Sequence, residues 1–140
     1  MQSPSSVDCE TALPADPAMA TWDDACAILR ELPGVEIAPR GGERVARVKG
    51  ARLAFVTENE RSRPAQFGAD EVMAIRTEYP TRAALIAEDP GRYAVTPHYA
   101  TYPAVLVRLP AVSTDELREL LTDGWRLIAP KRVVRQLDES

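Results

Sequence analysis

Apolar residues recur at helical spacing in two stretches of the chain. In the first stretch the spacing is i, i+3, i+4 and i+7, at Ala25, Ile28, Leu29 and Leu32. Such a stripe is typical of an amphipathic helix with one face on a core. Thr21 and Asp24 stand at capping-box spacing before it, and Pro33-Gly34 follows it. We therefore expect a helix that begins after Thr21 and ends at Pro33-Gly34.

The second helical stretch begins at Ser113, which forms a capping box with Glu116. Its apolar stripe consists of Leu117, Leu120, Leu121 and Ile128. Gly124 interrupts this stripe, and because glycine disfavours helix interiors we expect a break or a sharp bend there. Pro130 closes the segment, and the final residues VVRQLDES, 133–140, are expected to form a loose or partly docked tail.

Strand-like runs, alternating or continuously apolar, fill the middle of the chain. Five runs predict strands, at residues 44–48, 51–57, 71–76, 93–96 and 104–109. Lys49-Gly50 joins the first two runs and suits a tight hairpin turn. In the second run, strict alternation places Leu53 and Phe55 on one face of the strand, with the residues between and beyond them on the other.

The remaining segments complete the order of elements. Pro80-Thr81 introduces a short helix that runs through Glu88, and the polar segment Glu58–Gly68 is expected to be a loop between strands. The elements then follow in the order α-β-β-β-α-β-β-α. This order predicts an α+β fold with about five strands.

The length of 140 residues fits a single domain. Residues 1–19 are rich in Ser, Pro, Asp and Ala and lack hydrophobic periodicity, so we expect a disordered or loosely docked extension. The folded domain is expected over residues 20–135, with a tail over residues 136–140.

The carboxy-terminal half resembles the MmcQ/YjbR family in the segments PHYATYPAVLVRL and DELRELLTDGWRLIAPKR, preceded earlier in the chain by LPGVE. The resemblance covers roughly residues 21–135, and Pro97-His98-Tyr99 and Trp125-Arg126-Leu127 are its most specific parts. It implies a fold similar to that of secretion chaperones, a two-layer sandwich in which helices cover an antiparallel sheet. It also implies DNA binding.

Charge restricts where nucleic acid could bind. The net charge is −4 and the estimated pI is near 5.1, so any contact with DNA must be local. Of the 21 acidic residues, three lie before residue 20, which leaves 18 against 17 basic residues in the rest of the chain. The dense basic positions, which are our candidates for phosphate contacts to double-stranded DNA, are Arg126, Lys131, Arg132 and Arg135.

The basic residues are 15 arginines and only two lysines, a bias typical of a GC-rich, bacterial genome. No continuous Lys/Arg stripe with interleaved aromatic residues is visible along the chain.

Residues that suggest catalysis have structural explanations. His98 is the only histidine, and no Ser/His/Asp or Cys/His arrangement accompanies it, so we expect a structural, hydrogen-bonded histidine. Tyr99 and Tyr102 are expected to pack their rings on the edge of the core, and Trp125 is expected in the core. Pro97, His98, Tyr99 and Trp125 are expected to define the family motif rather than a catalytic site.

Other kinds of site are not indicated by the sequence. Cys9 and Cys26 are expected to be reduced thiols, with Cys26 packing as a small hydrophobic residue. The ligand spacings of a metal site are missing, and Gly41-Gly42 lacks the pattern of a phosphate-binding loop, so no metal and no cofactor are expected.

We therefore expect a cytoplasmic protein that is not an enzyme, has no membrane partner and binds DNA. The alternative is a module that binds a protein or peptide segment, as secretion chaperones do.

Overall fold

The structure of the protein is a computed structural model that describes residues 20–38, 44–57 and 62–139. Residues 1–19, where we expect an extension, lie outside the described residues. The helices are α1 (Trp22–Leu29), α2 (Tyr79–Glu88), α3 (Thr114–Ile128) and α4 (Lys131–Glu139). The strands are β1 (Val35–Ile37), β2 (Val45–Val48), β3 (Ala51–Val56), β4 (Val72–Arg76), β5 (Tyr93–Ala94) and β6 (Ala104–Arg108).

The strands form one antiparallel sheet in the order β1-β2-β3-β4-β6-β5. Apolar side chains of all four helices pack on one face, which we call the helix-covered face. This arrangement confirms the α+β fold and its antiparallel sheet. The described residues contain six strands instead of about five. The sequence pattern does not predict β1, because a run of three residues that pairs only with β2 is too short to show alternation.

The opposite face, which we call the second face, carries a smaller apolar cluster. It includes Val45, Phe55, Phe67, Val72, Ala74 and Leu106, and Tyr99 from the segment at residues 95–103 packs against it. Both faces of the central strands β4 and β6 are therefore buried, which explains their continuous apolar runs.

Strand β3 departs from strict alternation because it contains a β-bulge at Leu53. Ala46 pairs with Ala54, but the next residue, Arg47, pairs with Arg52, so Leu53 has no partner. Leu53 and Ala54 both belong to the helix-covered core, whereas Phe55 lies on the second face. The expectation that Leu53 and Phe55 share a face is therefore wrong, because the extra residue reverses the alternation.

Helix α3 runs without interruption through Gly124, so the expected break at this residue is wrong. Glycine is required there by the sheet: a Cβ on Gly124 would lie 2.6 Å from the carbonyl oxygen of Arg76 and 3.1 Å from Cδ1 of Leu53. The missing side chain lets the helix backbone approach the backbone of β4. The helix ends instead at Ile128, before Ala129 and Pro130.

The ends of the helices also differ from expectation. The capping box of Thr21 and Asp24 is present, but α1 already ends at Leu29, and a turn brings Leu32 into the core. After Pro130 the chain forms α4, which continues past Arg135. The expected tail is therefore helical and docked through Val133 and Val134 rather than loose.

Two contacts fix the carboxy-terminal helices to the rest of the domain. Trp125 of α3 is fully buried, and its indole Nε1 donates a hydrogen bond of 2.8 Å to the carbonyl of Pro33. Val133 and Val134 of α4 pack against the helix-covered core. Val133 lies close to Gly34, the residue before β1. Helix α4 is therefore docked beside the end of the sheet at which β1 begins.

Arg82 of α2 organises the segment that crosses the second face. Its Nη1 donates to the carbonyl oxygens of Tyr99 (3.1 Å), Tyr102 (3.0 Å) and Ala104 (3.2 Å). Its Nη2 donates to the carbonyl of Ala100 at 3.0 Å. A single guanidinium thus donates to four carbonyl oxygens between Tyr99 and Ala104, and one N–H of Nη1 is shared between two of them.

We predict that Gly124→Ala destabilises the fold by about 1–3 kcal/mol, although alanine is the better helix former, because the new methyl group would press against the backbone of β4. Urea denaturation followed by circular dichroism measures the change. Glu119→Ala, at an exposed position of the same helix, is the control and should stay within about 0.5 kcal/mol of wild type. An unchanged or higher midpoint for Gly124→Ala would contradict the close approach.

We also predict that Arg82→Lys lowers the free energy of unfolding by about 1–3 kcal/mol, since an ammonium group cannot reach the same four carbonyl oxygens. The matched control is Arg118→Lys, at an exposed arginine whose ion pair with Glu31 survives the exchange, with an expected change below about 1 kcal/mol. Equal denaturation midpoints for the two variants would show that the positive charge alone, without the planar group, holds the turn.

Candidate functional site

The basic residues singled out in the sequence lie where α3 ends and α4 begins. Arg126 is in the last turn of α3, and Lys131, Arg132 and Arg135 are on α4. All four side chains are exposed. We call these four residues the carboxy-terminal basic cluster.

The cationic side chains of α4 are exposed because the apolar side of this helix packs against the core. Val133 and Val134 face the core, which leaves Lys131, Arg132 and Arg135 toward solvent. Its first turn contains Lys131 and Arg132 and no acidic residue. Cations at a helix amino terminus lie at the positive end of the helix dipole, where anions are favoured. The start of α4 therefore combines two sources of positive potential.

The structure also brings together three arginines that are far apart in the sequence. Arg47 on β2 and Arg52 on β3 are direct partners in the strand register, and Arg76 ends β4, the next strand. All three belong to the second face, since they alternate with residues of the helix-covered core. Because neighbouring strands lie about 4.8 Å apart, the three positions follow one another across the sheet. We call them the arginine row.

Aromatic rings support two members of the arginine row. The guanidinium carbon of Arg52 lies 4.3 Å from the ring centroid of Phe55 and 5.2 Å from that of Tyr102. The guanidinium of Arg76 lies 5.1 Å from the Tyr102 ring and donates to the backbone carbonyl of Arg52 through Nε at 3.2 Å and Nη2 at 3.1 Å. These contacts are within the range of cation–π attraction.

The arginine row and the carboxy-terminal basic cluster lie toward the same end of the sheet. At this end β1 and β3 begin and β2 and β4 end. Gly124 of α3 contacts Arg76 there, and Val133 of α4 lies near Gly34. We call this the basic end. Carboxylates toward this end include Glu36, the register partner of Arg47, and Glu78.

Three arginines toward the other end of the sheet, Arg44, Arg92 and Arg108, form ion pairs. The described ion pairs there join Arg44 to Glu71, Arg92 to Asp89 and Glu116, and Arg108 to Asp70. No ion pair of the arginine row is found within residues 20–38, 44–57 and 62–139. The near balance of charge over the folded domain therefore does not show that, among the described residues, the arginine row lacks ion pairs while Arg44, Arg92 and Arg108 have them.

Sequence reasoning misses the arginine row for a physical reason. Arg52 and Phe55 share a face only because of the bulge at Leu53, since strict alternation would separate residues three apart. Tyr102 reaches these strands through a turn that Arg82 holds. The sequence does contain a weak signal for the row. Arg47 and Arg76 each stand next to a buried apolar strand position, which is typical of cations at strand ends on an exposed face.

Pro97, His98 and Tyr99, which are expected to belong to a family motif, form a short 3-10 helix between β5 and β6. Tyr99 is buried, and its hydroxyl donates to Oγ1 of Thr57 at 3.3 Å. His98 is exposed, with its ring edge-to-face on Tyr99 at a centroid distance of 4.7 Å. The described residues supply no hydrogen bond to the His98 side chain, contrary to expectation, because Tyr99 takes the inward position of the turn.

The loop expected at residues 58–68 is described only from Ser62 onward, with residues 58–61 outside the described ranges. The buried hydroxyl groups of Thr57 and Ser62 hydrogen-bond to each other, and Thr96 Oγ1 donates to the Ser62 carbonyl at 3.1 Å. These bonds tie the loop to the motif turn. The hydroxyl of Tyr99 is therefore part of a structural network.

Cys26 and the cleft between α2 and α3 are two further places with chemically active groups. Burial raises the pKa of the Cys26 thiol, which disfavours the reactive thiolate. The cleft has a volume of about 220 Å³, and its carboxylates are Glu88, Glu116, Glu119 and Asp123. Burial, followed by the charge of Glu116, raises the pKa of Tyr93 in its wall. The described residues contain no group of three or more side chains suited to a metal ion.

An apolar groove of about 390 Å³ lies beside Arg76, between the start of α2 and the end of α3. Its exposed apolar side chains are Tyr79 and Leu127, at 46% and 45% exposure. A module that binds a protein segment would need such a surface, and that alternative stays a prediction. Among the helices of the described ranges, none combines the length and apolar character needed to cross a bilayer.

Comparisons with known proteins identify relatives in bacteria. The uncharacterized proteins Rv2570 of Mycobacterium tuberculosis and Mb2600 of Mycobacterium bovis are each 37% identical over 123 residues, spanning 84% of this chain and 95% of the relative. No family model matches the chain.

Among solved structures, the fold is similar to that of Deinococcus radiodurans protein DR2400, described as a DUF419 domain. The TM-score is 0.62 at 20% sequence identity, over 86% of this chain and 90% of DR2400. This likeness supports the arrangement of the sheet and its helices. Because the mycobacterial sequences match this chain over nearly their whole length, the chain belongs to the family of uncharacterized proteins that includes Rv2570 and Mb2600.

Proposed function

We propose that this protein binds duplex DNA, without catalysing a reaction, through the carboxy-terminal basic cluster. The observation that carries the proposal is the exposure of Arg126, Lys131, Arg132 and Arg135 at the junction of α3 and α4. Exposed cations are the side chains that reach phosphate groups and release the counterions around them. Such contacts supply affinity without choosing a base sequence.

The resemblance to the MmcQ/YjbR family supports the same proposal. Pro97-His98-Tyr99 and Trp125-Arg126-Leu127 carry the resemblance, and DNA binding is what it implies. The proposed location is the cytoplasm, because the relatives are bacterial and bacterial DNA is found there.

The acidic net charge of −4 does not oppose this binding strongly. Toward the other end of the sheet, Arg44, Arg92 and Arg108 form ion pairs. Their partners are Asp70, Glu71, Asp89 and Glu116. At physiological ionic strength exposed charges are screened beyond about 8 Å. DNA at the basic end would therefore respond mainly to nearby cations and little to the distant carboxylates.

The start of α4 adds a local reason for phosphate binding. Lys131 and Arg132 lie in a first turn without acidic residues, where their charges oppose the helix dipole. A phosphate group placed there would interact favourably with both cations and with the helix terminus. In the free protein these two cations slightly destabilise the start of α4, and a bound anion would offset this destabilisation.

We predict that the full-length protein binds a fluorescein-labelled duplex at low salt with a Kd of about 10⁻⁴–10⁻⁶ M or tighter, and that affinity falls steeply as salt rises. The double variant Lys131→Gln/Arg132→Gln should lose two phosphate contacts. Its plot of log K against log salt should be shallower by about 1.8, at about 0.9 for each contact. Fluorescence anisotropy at several salt concentrations measures both quantities.

The matched control is Arg92→Gln/Arg118→Gln, which changes the net charge equally but alters arginines that are ion-paired with Glu116 and Glu31. Its salt slope should remain that of wild type. Circular dichroism establishes that each variant is folded. Absence of wild-type binding up to about 100 μM protein, or equal losses in the two double variants, would overturn the proposal.

A further inference from the structure

We infer that the second face of the sheet, at the basic end, binds single-stranded nucleic acid across the arginine row. This site differs from the duplex site proposed at α3 and α4 in its ligand and in its position on the domain. It depends on Arg47, Arg52 and Arg76 and on the rings of Phe55 and Tyr102, which contact Arg52 and Arg76. In this arrangement the guanidinium groups contact phosphates, and the supported plane of Arg52 stacks with a base.

Unpaired positive charge is the first argument for this site. Arg47 and Arg52 are direct cross-strand partners, and like charges in this relation destabilise a sheet. Within the described residues no ion pair relieves them, and Glu36, the register partner of Arg47 on its other side, is not within ion-pair distance. A bound polyanion would replace this repulsion with attraction.

The rigid presentation of the guanidinium groups is the second argument. Arg52 lies over Phe55 and beside Tyr102, at 4.3 and 5.2 Å. Arg76 is fixed by two hydrogen bonds to the carbonyl of Arg52. Because these contacts already restrict the side chains, less side-chain entropy would be lost when a ligand binds. Arg52 nevertheless remains exposed, so its outer side is accessible.

The shape and chemistry of this surface favour a single strand over other anions. The row crosses β2, β3 and β4, so it extends over about 10 Å of the second face, beside the segment that carries Tyr102. An extended strand can lie along such a face with its bases unpaired, and bases stack on aromatic rings and on guanidinium planes. An acidic polypeptide would use the charges but would gain nothing from the ring-supported planes.

The test uses a labelled oligothymidylate of about 12 nucleotides, the duplex described above and the full-length protein. Arg47→Gln/Arg52→Gln should weaken oligothymidylate binding about tenfold or more and make its salt slope shallower by about 1.4, at about 0.7 for each lost contact. Duplex binding should change less than about twofold. The matched control is Lys131→Gln/Arg132→Gln, which should show the reverse pattern.

A second variant separates stacking from charge. Arg52→Lys keeps the positive charge and removes the planar group, so it should weaken oligothymidylate binding while leaving the salt slope close to that of wild type. It also guards against misfolding of the double variant, since lysine retains the charge and most of the aliphatic stem. Circular dichroism and denaturation midpoints accompany each titration.

Each outcome decides the inference. A selective loss of oligothymidylate binding in Arg47→Gln/Arg52→Gln supports it. It is overturned if wild type does not bind the oligothymidylate, if the double variant binds it normally, if single-strand and duplex binding fall equally, or if polyglutamate of equal charge competes as well as the oligothymidylate does. Failure of duplex binding by wild type would refute the proposed function and leave the single-strand result to be judged separately.

Discussion

The close contact between α3 and the backbone of β4 at Gly124 is the constraint on which the arrangement depends. A Cβ at this position would meet the carbonyl of Arg76 at 2.6 Å and Leu53 at 3.1 Å, so the helix, the end of β4 and the bulge of β3 meet at one point. The bulge turns Leu53 toward α3 and leaves Arg52 and Phe55 together on the second face. The bulge that packs Leu53 against α3 on the helix-covered face therefore also places Arg52 beside Phe55 on the second face.

Separation of charge within the domain follows from the same geometry. Antiparallel pairing places the end of β2, the start of β3 and the end of β4 together, and these segments carry the arginine row. The starts of β2 and β4 meet at the other end, where Arg44 pairs with Glu71. A net charge describes the sum of these ends and conceals their difference. Potential at a binding surface depends on unpaired charges within a few screening lengths, so the local arrangement governs encounter with a polyanion.

The sequence predicts those features of the fold that depend on local chemistry. Both capping boxes, at Thr21 and Ser113, are present, and each is formed by side chains three residues apart at the start of an apolar helical stripe. The role of Gly124 is not visible locally, since a glycine that breaks a helix and a glycine that admits a neighbouring backbone look the same in sequence. The bulge at Leu53 has no local signal either, and for that reason the pairing of Arg52 with Phe55, and with it half of the candidate surface, escapes prediction. The carboxy-terminal basic cluster is predicted because its residues are close together in the chain.

The preference for arginine has a genomic explanation, yet the structure uses properties that lysine lacks. The guanidinium of Arg82 donates to four carbonyl oxygens of one turn, and that of Arg52 lies over an aromatic ring. A lysine ammonium could supply the charge at either place but neither the planar fork nor the stacking surface. A compositional bias can therefore arise from the genome and still be used by the fold. On the second face, the guanidinium of Arg82 holds the turn that carries Tyr102, and the guanidinium of Arg52 is the proposed stacking surface for a base.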